Sequence, residues 1–460
     1  MLPSPNDMGG EGAWGALPIE PRTPAYLRTF NRTKPMLETA YLRNHPDEAR
    51  KRLAKRNIDA EGLLAHAAEL DGQRRTAQQA LDNELAAMND QARAVGELMK
   101  AGKREEAEAA KARSAALKET IAGLKEALAT AEKALDEHLW TIPNTPQERV
   151  PSGKTPEDNV TVMQQGNIPE LPAGAKPHWD LGAEYGLFSL EDGVKLTGAG
   201  FPVYHGQGAK LQRALIAFFL DRAIAAGYAE VMPPLMVNAD SAFATGQLPD
   251  KEGQMYHATA DDLYLIPTAE VPITNLFRDT IVEAAQLPIK RVGHTPCFRR
   301  EAGSYGKDVR GLNRVHQFDK VEIVRIEAPA DSNAALDEMV DHVKGLLDAL
   351  ELPYRQLLLC GGDMGFTSAI TYDMEVYAAA QGRWLEVSSI SNFETYQSNR
   401  LKLRYRSADK KPHLAHTLNG SALALARIVA ALLENNQTPG GIRIPKALEP
   451  YTGFAMIVKK

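Results

Sequence analysis

Three arginines stand in contexts that could grip an anion. Arg299 lies in "FRRE", Arg310 in the run "AGSYGKDVRG", and Arg427 in "NGSALALAR". A guanidinium is planar and permanently charged, and its paired donors match phosphate oxygens. Arg427 interrupts an otherwise apolar helical stretch. A charge there needs a partner, either a buried carboxylate or an anionic ligand. Three acids complement them: Glu270 in "PTAEVP", Glu322 closing "HQFDKVE", and Glu386 opening "EVSS". Carboxylates can hold an ammonium group or a Mg²⁺ ion that bridges phosphates, and they can also be plain strand-end acids. His294, His316, His413 and His416 lack metal-ligand spacing and read as core or loop histidines. Neither a GxxxxGK[ST] loop nor a helix-opening GxGxxG is present, so a nucleotide would need another holder.

The elements around these residues have recognisable textures. "CFRREAGSYGKDVRGLNRVHQFDKVEIV", Cys297 to Val324, reads as strand, loop, strand, with three glycines and three charges in the ten loop residues. "GAKLQRALIAFFLDRAIAAGY" reads as an amphipathic helix closed by Gly227. "AEVMPPLMVN" reads as a strand interrupted by Pro233 and Pro234. "DLYLIPTAEVPITNLF", "RWLEVSSISNF" and "AHTLNGSALALARIVAALLENN" alternate strand and helix textures. From about Pro177 onward the chain therefore reads as an α+β domain.

Upstream the rhythm is helical. Leu81, Leu85, Met88, Ala92, Val95 and Met99 alternate spacings of four and three. Ala107, Ala110, Ser114, Leu117, Ile121, Leu124, Leu128, Ala131 and Leu135 continue it. Such a seam predicts two antiparallel coiled-coil helices turning near Gly102 in "KAGKRE". Arms of roughly 30 residues would each extend about 45 Å. Charges of both signs flank the seam, as on any solvated coiled coil. Arg74, Arg75, Arg93, Lys103 and Arg104, with Lys100, Lys111 and Arg113, are the basic residues such a lever would offer a nucleic acid. Residues 36–59 read as a short helical cap, and "TIPNTPQERVPSGKTPEDN" as a Pro-rich linker.

A chain of 460 residues implies two or three domains. The net charge of -6 gives no global basic footprint, so nucleic-acid binding must use local patches. Two cysteines, Cys297 and Cys360, argue against a disulfide framework and suit the reducing cytoplasm. No apolar run reaches the roughly 18 residues of a membrane span. Residues 1–35 are rich in Pro and Gly and lack a signal-peptide core, reading as a disordered leader or upstream extension.

At this point the residues resemble a family. From about Met36 to the C-terminus the chain is similar to the seryl-tRNA synthetases, which are class II aminoacyl-tRNA synthetases. "GYAEVMPP" resembles their motif 1, the Cys297–Val324 stretch motif 2, and "TLNGSALALARIVAALLENNQ" motif 3. "PTAEVP" and "EVSSISNFETYQSNRLKLRYR" resemble segments specific to the serine enzymes. The resemblance implies an antiparallel sheet flanked by helices over 177–460, a tRNA-binding domain with a coiled-coil arm over 36–140, and a linker over 141–176. It implies that Arg299 meets the α-phosphate of ATP, Glu301 recognises adenine, Phe318 stacks on the base, and Arg427 meets the γ-phosphate. Glu386 and Ser389 would bind Mg²⁺ with ATP, and Arg300, Val387 and Ser388 belong to the same ATP segments. Thr268, Ala269, Glu270, Glu322 and Ser421 would form the serine pocket, with Asn419 beside it.

The loop 302–314, with Arg310, would order on ATP and meet the acceptor end of tRNA. L-serine, ATP and the tRNA for serine, and where one exists the tRNA for selenocysteine, are the implied partners. A homodimer is implied too, while neither membrane nor DNA is. One departure is Phe393, where cysteine is common, and a packing change is the reading it invites. Met36 falls where many family members begin. A paralogue without catalysis should have lost Arg299, Glu301, Glu386 or Arg427, and a homologue loading a carrier protein should lack the arm; all of these are present.

Overall fold

A computed structural model describes residues 37–250, 253–301 and 310–459. The leader 1–35, Met36 and most of the glycine-rich run (302–309) lie outside the described residues.

Two short helices, α1 (Thr39–Asn44) and α2 (Pro46–Ala54), form the cap. Next come the arm helices α3 (Ala60–Lys100) and α4 (Arg104–Leu139). The Asp59 carboxylate caps α3 by accepting from the Gly62 N–H at 2.9 Å. Gly102 makes the return at φ +73°, a left-handed conformation suited to glycine. With 41 and 36 residues the helices are longer than the sequence suggests, about 60 and 54 Å by helical rise.

The seam of α4 follows the sequence: Ala107, Ala110, Ile121, Leu128 and Leu135 are buried. The seam of α3 does not. Leu81 is buried, and Met88 and Val95 are half-buried as expected, but Leu85, Ala92 and Met99 are exposed. Glu84, Gln91 and Leu98 are half-buried instead. The reason is phase. Leu70, Arg74, Ala77 and Leu81 step by four, three and four at the base, so the next step is three and lands on Glu84. Gln91 uses its seam position to donate from Nε2 to the Ala110 carbonyl, 3.1 Å across the arm.

The catalytic-size domain is built on one eight-stranded sheet. Its strands in chain order are β1 (Val160–Gln165), β2 (Ala229–Glu230), β3 (Ile289–Phe298), β4 (Gln317–Glu327), β5 (Tyr354–Leu358), β6 (Ile370–Ala378), β7 (Arg383–Asn392) and β8 (His416–Ala424). Spatially they run β1-β5-β6-β7-β8-β4-β3-β2, all neighbours antiparallel except β2 and β3. One face is apolar, and Val321, Ile323, Leu418, Val387 and Ile390 pack there. Against it lie α6 (Gly206–Ala225), α8 (Ser332–Ala349) and α10 (Leu425–Asn435). Ala335, Leu336, Met339, Val340, Val343, Leu346 and Leu347 give α8 its buried stripe at helical spacing. The helices α5 (His178–Glu184), α7 (Glu270–Asn275) and α9 (Tyr396–Leu401) complete the elements that matter below. Among the described residues no helix is long and apolar enough to cross a membrane.

The stretch 141–176 is not a free tether. Ile142, Asn144, Thr145 and Gln147 are buried, and Val160–Gln165 is the outer strand of the sheet. Asn144 donates from Nδ2 to the Thr367 and Phe393 carbonyls at 2.9 and 2.8 Å. Proline and polar composition reads as a linker, but here the backbone is satisfied by tertiary partners. Leu37, Leu53, Ala60, Leu70, Leu135, Leu139, Ile142 and Tyr396 form one cluster that seats the cap and the arm base on the domain.

Candidate active site

Strand periodicity builds the site. Side chains two apart share a face, so Phe318, Lys320 and Glu322 on β4 all look away from the helices. Ser421 of β8 pairs with Glu322, and Asn419 pairs with Ser391 of β7. Glu386 and Ser389, three apart on β7, would point to opposite faces of a regular strand. A bulge opposite Met374 and Glu375 restores them to one face. These residues, with Thr268, Glu270, Arg299, Glu301, Ser388, Phe393 and Arg427, line one cavity of about 490 Å³.

At one end sits a polar pocket. Lys320 Nζ donates to Thr268 Oγ1 at 3.0 Å and lies 2.6 Å from Glu322 Oε2. Ser421 Oγ donates to that carboxylate at 3.3 Å. Glu270 caps the pocket from the start of α7. Its Oε1 accepts from Gln397 Nε2 at 2.7 Å, and Gln397 is itself held by the Thr417 hydroxyl at 2.8 Å. Burial pushes the Glu270 carboxyl up to about 7; Glu322 adds to this, while Gln397 and Lys320 oppose it.

At the other end sit the arginines. Arg299 Nε donates to the Pro267 carbonyl at 3.4 Å, and its guanidinium lies 5.3 Å from the Phe318 ring centre. Arg427 lies in the first turn of α10, half-buried. Its Nε donates to the Asn313 carbonyl at 2.9 Å and its Nη1 to the Glu386 carbonyl at 2.7 Å. The Glu386 carboxylate is 3.8 Å away. The partner it needs is thus two backbone dipoles and one half-exposed acid. Glu301 pairs with Arg314 at the cavity rim.

Asp373 pairs with Ser389 on the neighbouring strand, and its Oδ1 is a buried oxygen without a hydrogen-bond partner. Burial first, then the nearby Glu386, hold its carboxyl well above the usual range. Glu386, Ser389 and Asp373 present oxygen donors only, a set suited to a hard divalent cation.

Three assigned residues sit elsewhere. Arg300 is exposed and outside the cavity; it lies past the end of β3, where its N–H donates to the Gln254 carbonyl at 2.8 Å. Ala269 is buried with Ile273 and Val324 and does not line the cavity. Arg74 lies on the arm seam, 3.0 Å from Asp71, whereas Arg75, Arg93, Lys103 and Arg104 face solvent. Arg310 is exposed, 4.6 Å from the Trp179 ring centre. The site also uses residues that the sequence left unmarked. Lys320 was detectable as the same-face neighbour of Glu322, whereas Gln397 and Asp373 gave no local signal. Phe393 does more than pack, since it reaches the cavity.

Arg56 lies behind the cavity. It is buried, and its guanidinium donates to the carbonyls of Asn144 at 2.7 Å, Met364 at 3.2 Å, Gly365 at 3.2 Å and Ser368 at 2.5 Å. Burial draws its pKa down to about 10. Thr367 and Ser368 line the cavity, so the cap domain holds part of its wall.

Known proteins share this layout. Residues 36–146 match the profile of the seryl-tRNA synthetase N-terminal domain. Residues 255–436 match the tRNA synthetase class II core domain (G, H, P, S and T). A serine–tRNA ligase of Salinibacter ruber is 51% identical over 424 residues, covering 92% of this chain and 99% of the relative. One from Chlorobium luteolum is 46% identical over 427 residues, with 92% and 99% covered. The seryl-tRNA synthetase of Pyrococcus horikoshii, solved with ATP, superposes with a TM-score of 0.86 at 34% identity, covering 92% of this chain and all of that one (100%). The cytoplasmic serine-tRNA ligase of Naegleria fowleri, solved with AMP, gives 0.83 at 26% identity, covering 92% and 99%. With its arm and core both matched, the chain belongs to the seryl-tRNA synthetases, within the class II aminoacyl-tRNA synthetases.

Proposed function

We propose that the chain activates L-serine with ATP and transfers the seryl group to the 3′ end of the tRNA for serine. The observation that carries this is a single cavity with arginines at one end and a Thr268–Lys320–Glu322 pocket at the other. The serine carboxylate attacks the α-phosphorus and pyrophosphate leaves. The adenylate carbonyl is then attacked by the terminal ribose hydroxyl, and AMP leaves. Both first reactants are anionic, so the transition state needs positive charge that is already in place. Arg299 meets the α-phosphate, Arg427 the γ-phosphate, and Phe318 stacks on adenine beside Glu301. Glu386, Ser389 and Asp373 would hold Mg²⁺, which when bound supplies further positive charge to the phosphate oxygens.

In the pocket, Glu270 takes the substrate ammonium and Glu322 with Ser421 takes the hydroxyl, Asn419 lying beside them. Alanine would leave these buried groups unpaired and is rejected. Threonine carries a methyl that the packed pocket excludes. Alignment supplies most of the remaining rate.

The arm, within a domain spanning 36–140, reads RNA shape and backbone through Arg75, Arg93, Lys103 and Arg104. The tRNA for selenocysteine, where one exists, would be charged by the same route. The exposed Ile224, Met232, Leu235, Met236 and Leu276 near motif 1 suit contact with a second copy in a homodimer. The buried thiols of Cys297 and Cys360 suit the cytoplasm.

Aminoacylation of bulk tRNA with each amino acid in turn tests the assignment. Serine alone should support pyrophosphate exchange and charging; exchange with another amino acid and none with serine overturns it. Removing 80–129 should leave exchange intact and abolish charging, and charging that survives would refute the role of the arm.

A further inference from the structure

His178 opens α5 and is completely buried (0% exposed). Its backbone N–H and its Nδ1 both meet Glu434 Oε1, at 3.0 and 2.7 Å. Its Nε2 accepts from the Leu312 N–H at 2.8 Å. An amide can only donate, so Nε2 carries the lone pair and Nδ1 the proton that faces Glu434. Glu434 also accepts from the Gln381 side chain at 2.8 Å and its N–H at 3.1 Å. The imidazole is therefore fixed on both sides, with no rotational freedom left to it.

What it holds is the ledge 311–313. Gly311 runs flush against the ring: a Cβ there would stand 2.3 Å from His178 Nε2, and its φ is +67°. Asn313 ties the ledge a second time, donating from Nδ2 to Gln381 Oε1 at 2.7 Å. The Asn313 carbonyl then accepts from Arg427 Nε at 2.9 Å. Arg427 and Glu434 are both on α10, two helical turns apart. The contacts close a ring that runs Arg427, Asn313, Leu312, His178, Glu434 and back along α10.

We propose that His178 is a positioning residue for the ATP site: through Leu312 and Asn313 it sets the fork of Arg427 toward the triphosphate. This rests on the reading of Arg427 given above. A core histidine would need neither the directed bond to the ledge nor a glycine flush against its ring.

Steady-state pyrophosphate exchange, with ATP and serine varied separately, tests it. His178→Asn keeps a donor where Nδ1 sits and loses the acceptor for Leu312. His178→Gln places an acceptor near Nε2. His178→Asn should raise the KM for ATP about tenfold, the size of one lost buried hydrogen bond, and leave the KM for serine unchanged. His178→Gln should recover most of that loss. A lowered melting temperature with both KM values unchanged, or both raised together, overturns the proposal. Should His178→Asn fail to fold, Asn313→Ala, which removes only the tie to Gln381, must still raise the KM for ATP selectively. An Arg427→Ala control separates the two layers. If it leaves the KM for ATP unmoved, the reading of the ATP site fails. If it raises that KM while His178→Asn does not, the reading stands and the role of His178 falls.

Discussion

Glu270, the acid proposed to take the serine ammonium, should tie serine use to pH. Its folded-state pKa is raised to about 7, chiefly by burial. The carboxyl must be ionised to hold the substrate ammonium. With a midpoint near 7, about nine-tenths is ionised one unit above and about one-tenth one unit below. In pyrophosphate exchange at saturating ATP, kcat/KM for serine should therefore fall about tenfold from pH 8 to pH 6. Glu322 raises the value and Lys320 lowers it, so Glu322→Gln should move the midpoint down and Lys320→Met should move it up. Glu270→Gln should flatten the limb and cost about 10- to 100-fold at pH 8, the range of a charge-assisted hydrogen bond. Stability runs the other way. An acid whose folded pKa is raised contributes stability that is fully present below its unfolded value, about 4.3, and is lost as pH rises through the folded one. The ionised form that binds serine is thus the less stable form, and serine at high pH should raise the melting temperature. A flat kcat/KM profile between pH 6 and 8, or an unchanged limb in Glu270→Gln, would refute the reasoning.

Five further substitutions probe three separate claims. Arg299→Ala should lower exchange kcat by about 10²–10³, as loss of a transition-state donor does, whereas Arg300→Ala should stay within about twofold because its side chain lies outside the cavity. Leu81→Ala should remove about 2–4 kcal/mol of arm stability and the exposed Leu85→Ala less than about 0.5, read by hydrogen exchange of arm amides in the full chain. Arg56→Met should cost about 3 kcal/mol or more in denaturant unfolding, since buried carbonyls lose their donor. It should also raise the KM for serine through Thr367 and Ser368; equal stability would count against the wall-holding role.

Where the sequence was legible, the signal was apolar period or long motif. The α4 seam is apolar at nearly every contact, so its phase could be read directly. The α3 seam carries Arg74, Glu84 and Gln91, and Leu85 and Ala92 offered a false apolar alternative one residue away. Only the step inherited from Leu70 and Ala77 separates the two. The Arg300 placement depends on how the chain leaves β3 after Phe298, with Glu301 turning at φ +49°, which a motif match ignores. The segment 141–176 misled because its burial depends on carbonyls and amides from loops more than 200 residues away. The His178–Glu434 contact spans a comparable distance, 256 residues, and neither residue has an unusual local context.

These long-range contacts explain how a site with so many charges can stand ready. Each cation proposed to face the anionic reactants is already oriented by neutral or partial charges: Arg299 by the Pro267 carbonyl and the Phe318 ring, and Arg427 chiefly by two carbonyls. A carbonyl orients a guanidinium without cancelling it, so most of the positive charge remains for phosphate. Lys320 is treated differently: it lies against a full carboxylate, Glu322, and is largely neutralised. That division matches the ligand. On the proposed assignment, charge is kept available where phosphate would bind, and it is paired where the serine hydroxyl would bind, so that hydrogen-bond geometry does the selecting. Glu270 is then the pocket acid whose carboxyl is held by the neutral amides of Gln397 and Asn419, and it is the acid proposed to meet the ammonium.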